Sequence, residues 1–257
     1  MFERFDFDEN GYKLLSEIGG KNADMLMTVK VKKMQPGETL KIFDENCETA
    51  VLILSGEAEI FWNGESGKMK RSCPFEKTPY CLHAPKGTEI TLKASTEGEF
   101  IIQQTENDIV FTPVFYTPET VLYQEFGKGQ WDGAGHRICS TVFDYDNAPY
   151  SNMVLGEVFN QPGKWSSYPP HHHPQPEIYY YKFDKPQGFG ACYIGDDVYK
   201  SVEGSAAFIT DGNDHQQAVA PGYEMCYVWM VRHLDNDPWY KTSRFYADEH
   251  KWLVDAK

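Results

Sequence analysis

The 257-residue chain has no run of apolar residues near the roughly 20 that a bilayer-spanning helix needs. Its first 15 residues are acidic and mixed, without the apolar core of a secretory signal. Basic residues are scarce, because 24 Lys and Arg face 38 Asp and Glu and leave a net charge of −14. This balance argues against nucleic acid or an anionic membrane as a partner. We expect a cytoplasmic protein that binds neither, although one or two local cations would suffice for a small anion.

The cysteines are few and scattered, and none of them forms a Cys-x-x-Cys pair. Without a signal sequence, we expect reduced thiols that pack as small apolar side chains. They are Cys47, Cys73, Cys81, Cys139, Cys192 and Cys226.

Helical periodicity is weak along the chain, and the two best helical candidates, near 10–27 and 243–254, are short. Short alternating segments rich in β-branched and aromatic residues recur instead, with turn residues between them. This pattern predicts an all-β fold, either an antiparallel sandwich or a barrel. The strand-rich segments fall into two blocks, 28–112 and 150–234, which raises the question of an internal repeat.

The sharpest motif is the histidine triplet 171–173 followed by Glu177. On a strand, residues i and i+2 face the same side, so His171 and His173 can share an ion while His172 points away. The carboxylate of Glu177 can complete a set of three ligands. Prolines on both sides stiffen the triplet, which favours a site with fixed ligand geometry. A histidine triplet alone would be weak evidence, since it could equally be a solvated turn.

A second motif supplies a fourth candidate ligand. Gly204, Gly212 and His215 form Gly-x7-Gly-x-x-His, which resembles the second motif of the cupin superfamily, Gly-x5-Pro-x-Gly-x-x-His. Thr210 stands where that superfamily usually has proline. The stretch 171–177 resembles its first motif, His-x-His-x-x-x-Glu. The resemblance implies a divalent metal site formed by His171, His173, Glu177 and His215.

The first half of the chain resembles the same fold without its ligands. Phe43 and Glu45 follow Gly37 where a cupin places two histidines, and Ile90 follows Gly87 where it places the last. The resemblance therefore predicts a bicupin, with two antiparallel jelly-roll β-barrels and short helices. We expect a degenerate N-terminal cupin without metal ligands at 1–112, a connecting segment at 113–149 and a metal-binding cupin at 150–257.

The metal-binding half is similar to the family of 5-deoxyglucuronate isomerase from bacterial inositol catabolism. The shared runs are Gly-Glu-Val at 156–158, Trp-Ser-Ser-Tyr-Pro-Pro at 165–170 and Pro-x-Gly-Phe at 186–189. The resemblance implies a metal-dependent aldose–ketose isomerase that converts 5-deoxyglucuronate to 5-dehydro-2-deoxygluconate. It also implies zinc, whereas the ligand types alone fit Zn, Mn, Fe, Co or Ni.

Such an isomerisation needs a proton shuttle within hydrogen-bond reach of the reacting carbon. The candidates are Tyr180, Lys164, Glu157 and Tyr227. Strand tyrosines more often pack, however, and lysines more often lie in solvent. For the substrate carboxylate the preferred partner is Arg137, because a guanidinium binds a carboxylate through two hydrogen bonds. Arg232 is the second choice, and Tyr227 is a further candidate contact.

Other functions fit the same residues. The three-histidine, one-glutamate set also occurs in Fe(II) dioxygenases, and 5-dehydro-4-deoxyuronate isomerase shares the metal motif. A non-catalytic sugar-binding cupin is the third alternative, although no helix-turn-helix or basic segment accompanies the chain. In each case the expected ligand is a small sugar acid. We also expect a homo-oligomer, because cupins often pair with a second copy through their sheets.

Overall fold

The computed structural model describes residues 1–210 and 212–255, whose regular structure is almost entirely antiparallel strand. The strands of the first half are β1 (Phe2–Arg4), β2 (Tyr12–Ser16), β3 (Thr28–Met34), β4 (Thr39–Ile42), β5 (Cys47–Trp62), β6 (Glu65–Arg71), β7 (Cys81–Ala84), β8 (Ile90–Ala94), β9 (Gly98–Glu106), β10 (Val114–Tyr116) and β11 (Leu122–Phe126). Those of the second half are β12 (Arg137–Phe143), β13 (Met153–Asn160), β14 (Trp165–Ser166), β15 (His171–His172), β16 (Glu177–Phe183), β17 (Phe189–Ile194), β18 (Asp197–Val202), β19 (Ser205–Ile209), β20 (Gln217–Val219), β21 (Met225–Arg232) and β22 (Phe245–Tyr246). The predicted all-β fold is confirmed.

Helices are short wherever the structure describes them. They are the 3₁₀ segments Ala23–Met25, Trp131–Gly133 and Asp248–Leu253. The two helical candidates, 10–27 and 243–254, each contain one strand and one of these segments, so neither forms a continuous helix. Gly11 and Gly19 flank β2 with φ of 74° and 72°, a conformation that turns the chain at each end of the strand. None of the described helices is long and apolar enough to cross a membrane.

The chain divides into two compact units. The N-terminal unit consists of Phe5–Val121 and Ala148–Asn152, and the C-terminal unit consists of Met1–Arg4, Leu122–Asn147 and Met153–Lys257. The segment 113–149, which we expected to connect two cupins, is shared between these units. Its first part forms β10, which pairs with β7, and its later part forms β11 and β12, which pair with each other. Backbone hydrogen bonds therefore build this segment into the sheets.

The N-terminal unit contains strands β2 to β10 in one antiparallel sheet. The 16-residue strand β5 pairs with β6, β7, β8 and β9. Ile90, where the resemblance places a ligand histidine, is buried in the apolar cluster of this unit with Leu82 and Phe100. Phe43, at another ligand position, is exposed. Apolar packing thus occupies the place of one ligand in this half of the chain.

A buried polar cluster fixes residues 148–152 in the N-terminal unit. Oε2 of Glu48 lies 2.8 Å from Nε2 of His83 and accepts a hydrogen bond from the hydroxyl of Ser151 at 3.0 Å. Oε1 of Glu48 accepts a hydrogen bond from the backbone N–H of Asn152 at 2.6 Å. The side chains of Glu48 and His83 are both fully buried. A single carboxylate therefore satisfies three donors from distant parts of the chain.

The C-terminal unit contains a seven-stranded antiparallel sheet in the order β1-β19-β16-β21-β13-β12-β11. A four-stranded sheet, β14-β20-β17-β18, and the pair β15-β22 complete it. Tyr179, Tyr181, Tyr227 and Trp229 lie in one buried apolar cluster, to which β16 and β21 contribute alternate residues. Because strand side chains alternate between faces, the residues between them face the other side of the sheet.

The cysteines are free thiols, as predicted. All are buried except Cys73, which is half-buried. Cys139 and Cys192 pack in the apolar cluster of the C-terminal unit.

Candidate metal centre

One cavity lies in the C-terminal unit and contains the histidine and glutamate motif. Its walls come from neighbouring strands of the seven-stranded sheet, from the segment before β16 and from residues after β21. The lining residues are Phe126, Arg137, Cys139, Val158, Ser167, His171, His173, Glu177, Tyr179, His215, Tyr227, Trp229, Trp239, Lys241 and Arg244.

The strand period of two explains how the sheet builds this wall. The strands β16, β21 and β12 each contribute two residues at spacing i, i+2. These are Glu177 and Tyr179, Tyr227 and Trp229, and Arg137 and Cys139. Register then brings them together, since Tyr179 lies opposite Trp229 and Val158 lies opposite both Tyr227 and Cys139. Four adjacent strands thus present one chemically mixed surface to the cavity.

The predicted metal ligands converge in this cavity. Nε2 of His173 and Nε2 of His215 each lie 3.3 Å from Oε2 of Glu177. The candidate ligand atoms of these three residues lie within 4.8 Å of one another. The ring of His171 is next to them, with its centroid 4.7 Å from that of His215. The structure therefore brings together the four residues of the two cupin-like motifs.

Backbone carbonyls orient the three imidazoles. Nδ1 of His171, His173 and His215 lies 2.8, 2.9 and 3.1 Å, respectively, from the carbonyl oxygen of a residue two positions away. Donation from Nδ1–H to these oxygens leaves the Nε2 lone pairs available to an ion. The short spacing of the motifs therefore fixes both the position and the tautomer of each ligand.

The electrostatics of the cluster fit a divalent cation. Burial alone would raise the pKa of Glu177, but the side chains of His173 and His215 lower it to about 2, so the carboxylate is ionised. Burial and neighbouring His215 hold the pKa of His171 well below its usual range, so that imidazole is neutral. Oε2 of Glu177 and Nε2 of His215 are buried without a hydrogen-bond partner. An ion among these atoms would satisfy both, so the residues could hold a metal.

Two predicted substrate-binding residues line the cavity. The guanidinium of Arg137 is buried and donates to the carbonyl oxygens of Gly135 at 3.0 Å and Tyr168 at 3.3 Å. The hydroxyl of Tyr227 donates to Oγ of Ser166 at 2.9 Å. Burial raises the pKa of Tyr227 above its usual range, so the hydroxyl keeps its proton. The guanidinium of Arg137 can therefore donate further hydrogen bonds to a bound ligand, whereas the hydroxyl of Tyr227, whose proton goes to Ser166, can accept one.

The other predicted residues lie outside the cavity lining. Tyr180 follows Tyr179 on β16, and Glu157 precedes a cavity residue on β13, so alternation turns both to the opposite face. Alternation along β21 likewise turns Arg232 away from the face of Tyr227 and Trp229, and its side chain donates to the carbonyl oxygen of His233. Lys164 is half-buried in the turn before β14. The structure does not bring these four side chains to the metal ligands.

Sequence reasoning missed a hydroxyl network beside the ligands. Oγ of Ser167 lies 2.8 Å from the hydroxyl of Tyr179 and 3.5 Å from that of Tyr227. Burial and the charge of Glu177 raise the pKa of Tyr179 well above its usual range, so this phenol is protonated. The signal was present, because Tyr179 stands two residues after Glu177 and must share its face of β16.

Sequence reasoning also missed the tail, residues 235–255, which brings Trp239, Lys241 and Arg244 to the cavity. Its strand β22 pairs with β15, so that Tyr246 lies opposite His171. The ammonium of Lys241 forms an ion pair with Asp144 at 2.7 Å. No motif marks these tail residues, since only tertiary pairing places them beside the ligands.

His233 anchors the tail and should make it sensitive to acid. Its Nδ1 accepts a hydrogen bond from the backbone N–H of Trp239 at 2.9 Å, which requires a neutral ring. Burial and the adjacent Arg232 lower the pKa of His233 to about 4. Between pH 6.5 and 4 the unfolded chain binds a proton there and the folded chain does not. The free energy of unfolding therefore falls as pH drops through this window, by up to about 3 kcal/mol.

This contribution can be isolated with His233→Asn, whose amide oxygen can accept the same hydrogen bond but does not titrate. Urea unfolding at several pH values between 7 and 4 should show a pH slope shallower by about one proton in the variant. Identical slopes in the two proteins would assign the acid sensitivity to other groups.

Comparison with known proteins decides the family, because the model of the KduI/IolB family matches residues 2–253. The chain belongs to the KduI/IolB family. Among curated members, the 5-deoxy-glucuronate isomerase of Bacillus velezensis is 30% identical and aligns over 95% of this chain and 94% of its own length. The 5-deoxy-glucuronate isomerase of Geobacillus kaustophilus is 26% identical over 89% of this chain and 86% of its own length. These relatives confirm the predicted family and the prediction that this KduI/IolB member is an isomerase.

Solved structures confirm the bicupin fold. An IolB-like protein from Salmonella typhimurium matches with a TM-score of 0.86 and 20% identity over 98% of both chains. An oxalate decarboxylase mutant from Bacillus subtilis matches all of this chain and 81% of its own, with a TM-score of 0.68 and 12% identity. At these identities the likeness concerns the fold alone.

Proposed function

We propose that this KduI/IolB-family protein is a metal-dependent isomerase that converts 5-deoxyglucuronate to 5-dehydro-2-deoxygluconate in cytoplasmic myo-inositol catabolism. One observation carries the proposal. A candidate metal cluster shares a cavity with the side chains of Arg137, Lys241 and Arg244, in a chain whose relatives are named 5-deoxy-glucuronate isomerase. The reaction needs both features, since the substrate is a sugar acid with a carbonyl at one end and a carboxylate at the other.

The proposed metal is zinc, with Mn, Fe, Co and Ni also compatible with the donors. Its ligands would be Nε2 of His171, His173 and His215 with the carboxylate of Glu177. When bound, a divalent ion would polarise the sugar carbonyl and acidify the neighbouring carbon. Three neutral imidazoles and one carboxylate leave a local charge near +1, which suits an oxygen that gains negative charge.

Among the predicted shuttle residues, only Tyr227 lines the cavity, and Tyr179 joins it as a candidate. Both phenols are protonated, so neither would act as a base. Tyr179 would donate a hydrogen bond to a sugar oxygen, whereas Tyr227, whose proton goes to Ser166, would accept one from a sugar hydroxyl. Ser167 contacts both hydroxyls and would keep them oriented toward the ligand. We therefore propose that this network holds and passes the proton that moves between the sugar oxygens.

The test is direct conversion of substrate. Metal-loaded protein is incubated without oxygen with 5-deoxyglucuronate and, separately, with 5-dehydro-4-deoxyuronate, and the aldehyde and ketone signals are followed by NMR. We expect the first to be converted and the chelator-treated protein to be inactive. Conversion of the second alone would instead favour the pectin-pathway isomerase.

Other outcomes would overturn the proposal altogether. Turnover only in the presence of oxygen would indicate a dioxygenase, and binding of the sugar acid without turnover would indicate a sugar-binding cupin. The expectations of a homo-oligomer and of no nucleic-acid or membrane partner stay predictions.

A further inference from the structure

We infer that Arg244 of the tail and Arg137 of β12 form a guanidinium pair that binds the carboxylate of the sugar acid, with Arg244 setting the specificity for an anionic ligand. This inference rests on the proposed function and deepens it. No sequence motif contains Arg244, which reaches the cavity through tertiary contacts alone.

Geometry places Arg244 beside the candidate metal ligands. The backbone pairing of β22 with β15 puts Tyr246 opposite His171, and the rings of these two residues lie 6.0 Å apart. Arg244 precedes this pair by two residues and lines the same cavity as Arg137. The candidate metal ligands line this cavity too. Arg244 therefore shares one cavity with both Arg137 and the candidate metal ligands.

The two guanidiniums lack a counter-charge in the described part of the chain. Arg137 donates to backbone carbonyls, and no carboxylate forms an ion pair with it or with Arg244. Nε of Arg244 is buried without a hydrogen-bond partner. The nearby cation Lys241 differs, because Asp144 neutralises it at 2.7 Å. Positive charge is therefore left over on the guanidinium pair alone.

Uncompensated cations in a partly buried cavity are costly, and an anion between them would offset that cost. A guanidinium matches a planar carboxylate through two parallel hydrogen bonds, and its charge persists at any ordinary pH. The candidate metal ligands in the same cavity would receive the carbonyl end of the sugar. The ligand class is thus a polyol with a carbonyl at one end and a carboxylate at the other.

Calorimetric titration of the metal-loaded protein tests this inference, with D-glucuronate, D-glucose and inorganic phosphate as probes. We expect Arg244→Gln to weaken D-glucuronate binding about 10- to 100-fold, since it loses charged hydrogen bonds. Arg244→Lys should restore part of that loss, and the weak binding of glucose should not change. The control Arg4→Gln, at an exposed arginine of β1, should bind all probes as the wild type does.

The outcomes separate the inference from the proposed function. Unchanged D-glucuronate binding in Arg244→Gln, or wild-type binding of glucose equal to that of glucuronate, would overturn the guanidinium pair even in an active isomerase. Tighter binding of phosphate than of glucuronate would overturn the carboxylate assignment. Arg244-dependent binding of glucuronate in a protein that isomerises neither sugar would support the pair and reject the proposed function. Metal content, measured in parallel, shows whether a variant has damaged the metal centre instead.

Discussion

His173→Ala is expected to lower bound metal well below one ion per chain and to abolish isomerisation. His173 and His215 approach the same oxygen of Glu177 at 3.3 Å, so alanine removes one of the converging ligand atoms. Loss of an outer partner of a ligand typically weakens metal binding 10- to 100-fold, so loss of a ligand should cost at least about 100-fold. Elemental analysis after dialysis against a buffered chelator gives the metal content, and the NMR assay gives the activity.

The histidine triplet supplies its own control. His172 lies outside the cavity lining, and its Nδ1 is 2.8 Å from a carboxylate oxygen of Asp214. His172→Ala should therefore retain the metal. If the effects of the two variants were equal or reversed, the assignment of alternate histidines to the ion would fail.

Glu48→Ala is expected to lower the free energy of unfolding of the N-terminal unit by about 3–5 kcal/mol, because it removes an acceptor shared by three groups of a buried cluster, at roughly 1–3 kcal/mol each. The substitution removes the carboxylate that lies against His83 and accepts hydrogen bonds from the hydroxyl of Ser151 and the N–H of Asn152. Burial makes the loss severe, because water cannot reach the side chains of Glu48 and His83. Urea unfolding, followed by hydrogen exchange in β5, measures the change in this unit.

A nearby acidic residue provides the comparison. Glu45 precedes β5 and is exposed, so Glu45→Ala should change stability by no more than about 0.5 kcal/mol. Equal effects of the two substitutions would mean that the buried cluster contributes little. The C-terminal unit should keep its metal in both variants, since neither residue belongs to it.

Short-range sequence patterns predict those features of the site that depend only on neighbouring residues. The convergence of the candidate metal ligands could be predicted, because strand alternation and short motif spacing bring His171, His173 and Glu177 together whatever the rest of the chain does. The same rule, applied consistently, would have selected Tyr179 and excluded Tyr180. Residue type alone does not distinguish these two tyrosines, whereas the face of the strand places only Tyr179 in the cavity lining.

Nonlocal pairing explains the rest. Nothing near Arg244 in the sequence indicates a site, because it reaches the cavity only through the pairing of β22 with β15. The segment 113–149 was similarly divided between the units by hydrogen bonds to β7 on one side and to β13 on the other. Such contacts depend on which strands distant in sequence pair with each other, and the amino-acid composition does not indicate that pairing.

The path of the chain through the two units limits how the protein can be divided into fragments that fold. Strand β1 pairs with β19 of the C-terminal unit, whereas residues 148–152 return to the N-terminal unit. No single cut therefore releases either unit intact. A fragment that begins near residue 122 would expose the edge of β19. It would also keep residues 148–152, whose hydrogen-bond partner Glu48 would be missing. The same constraint applies during synthesis on the ribosome. Strand β1 is made first, and its partner β19 is complete only after more than 200 further residues have been added.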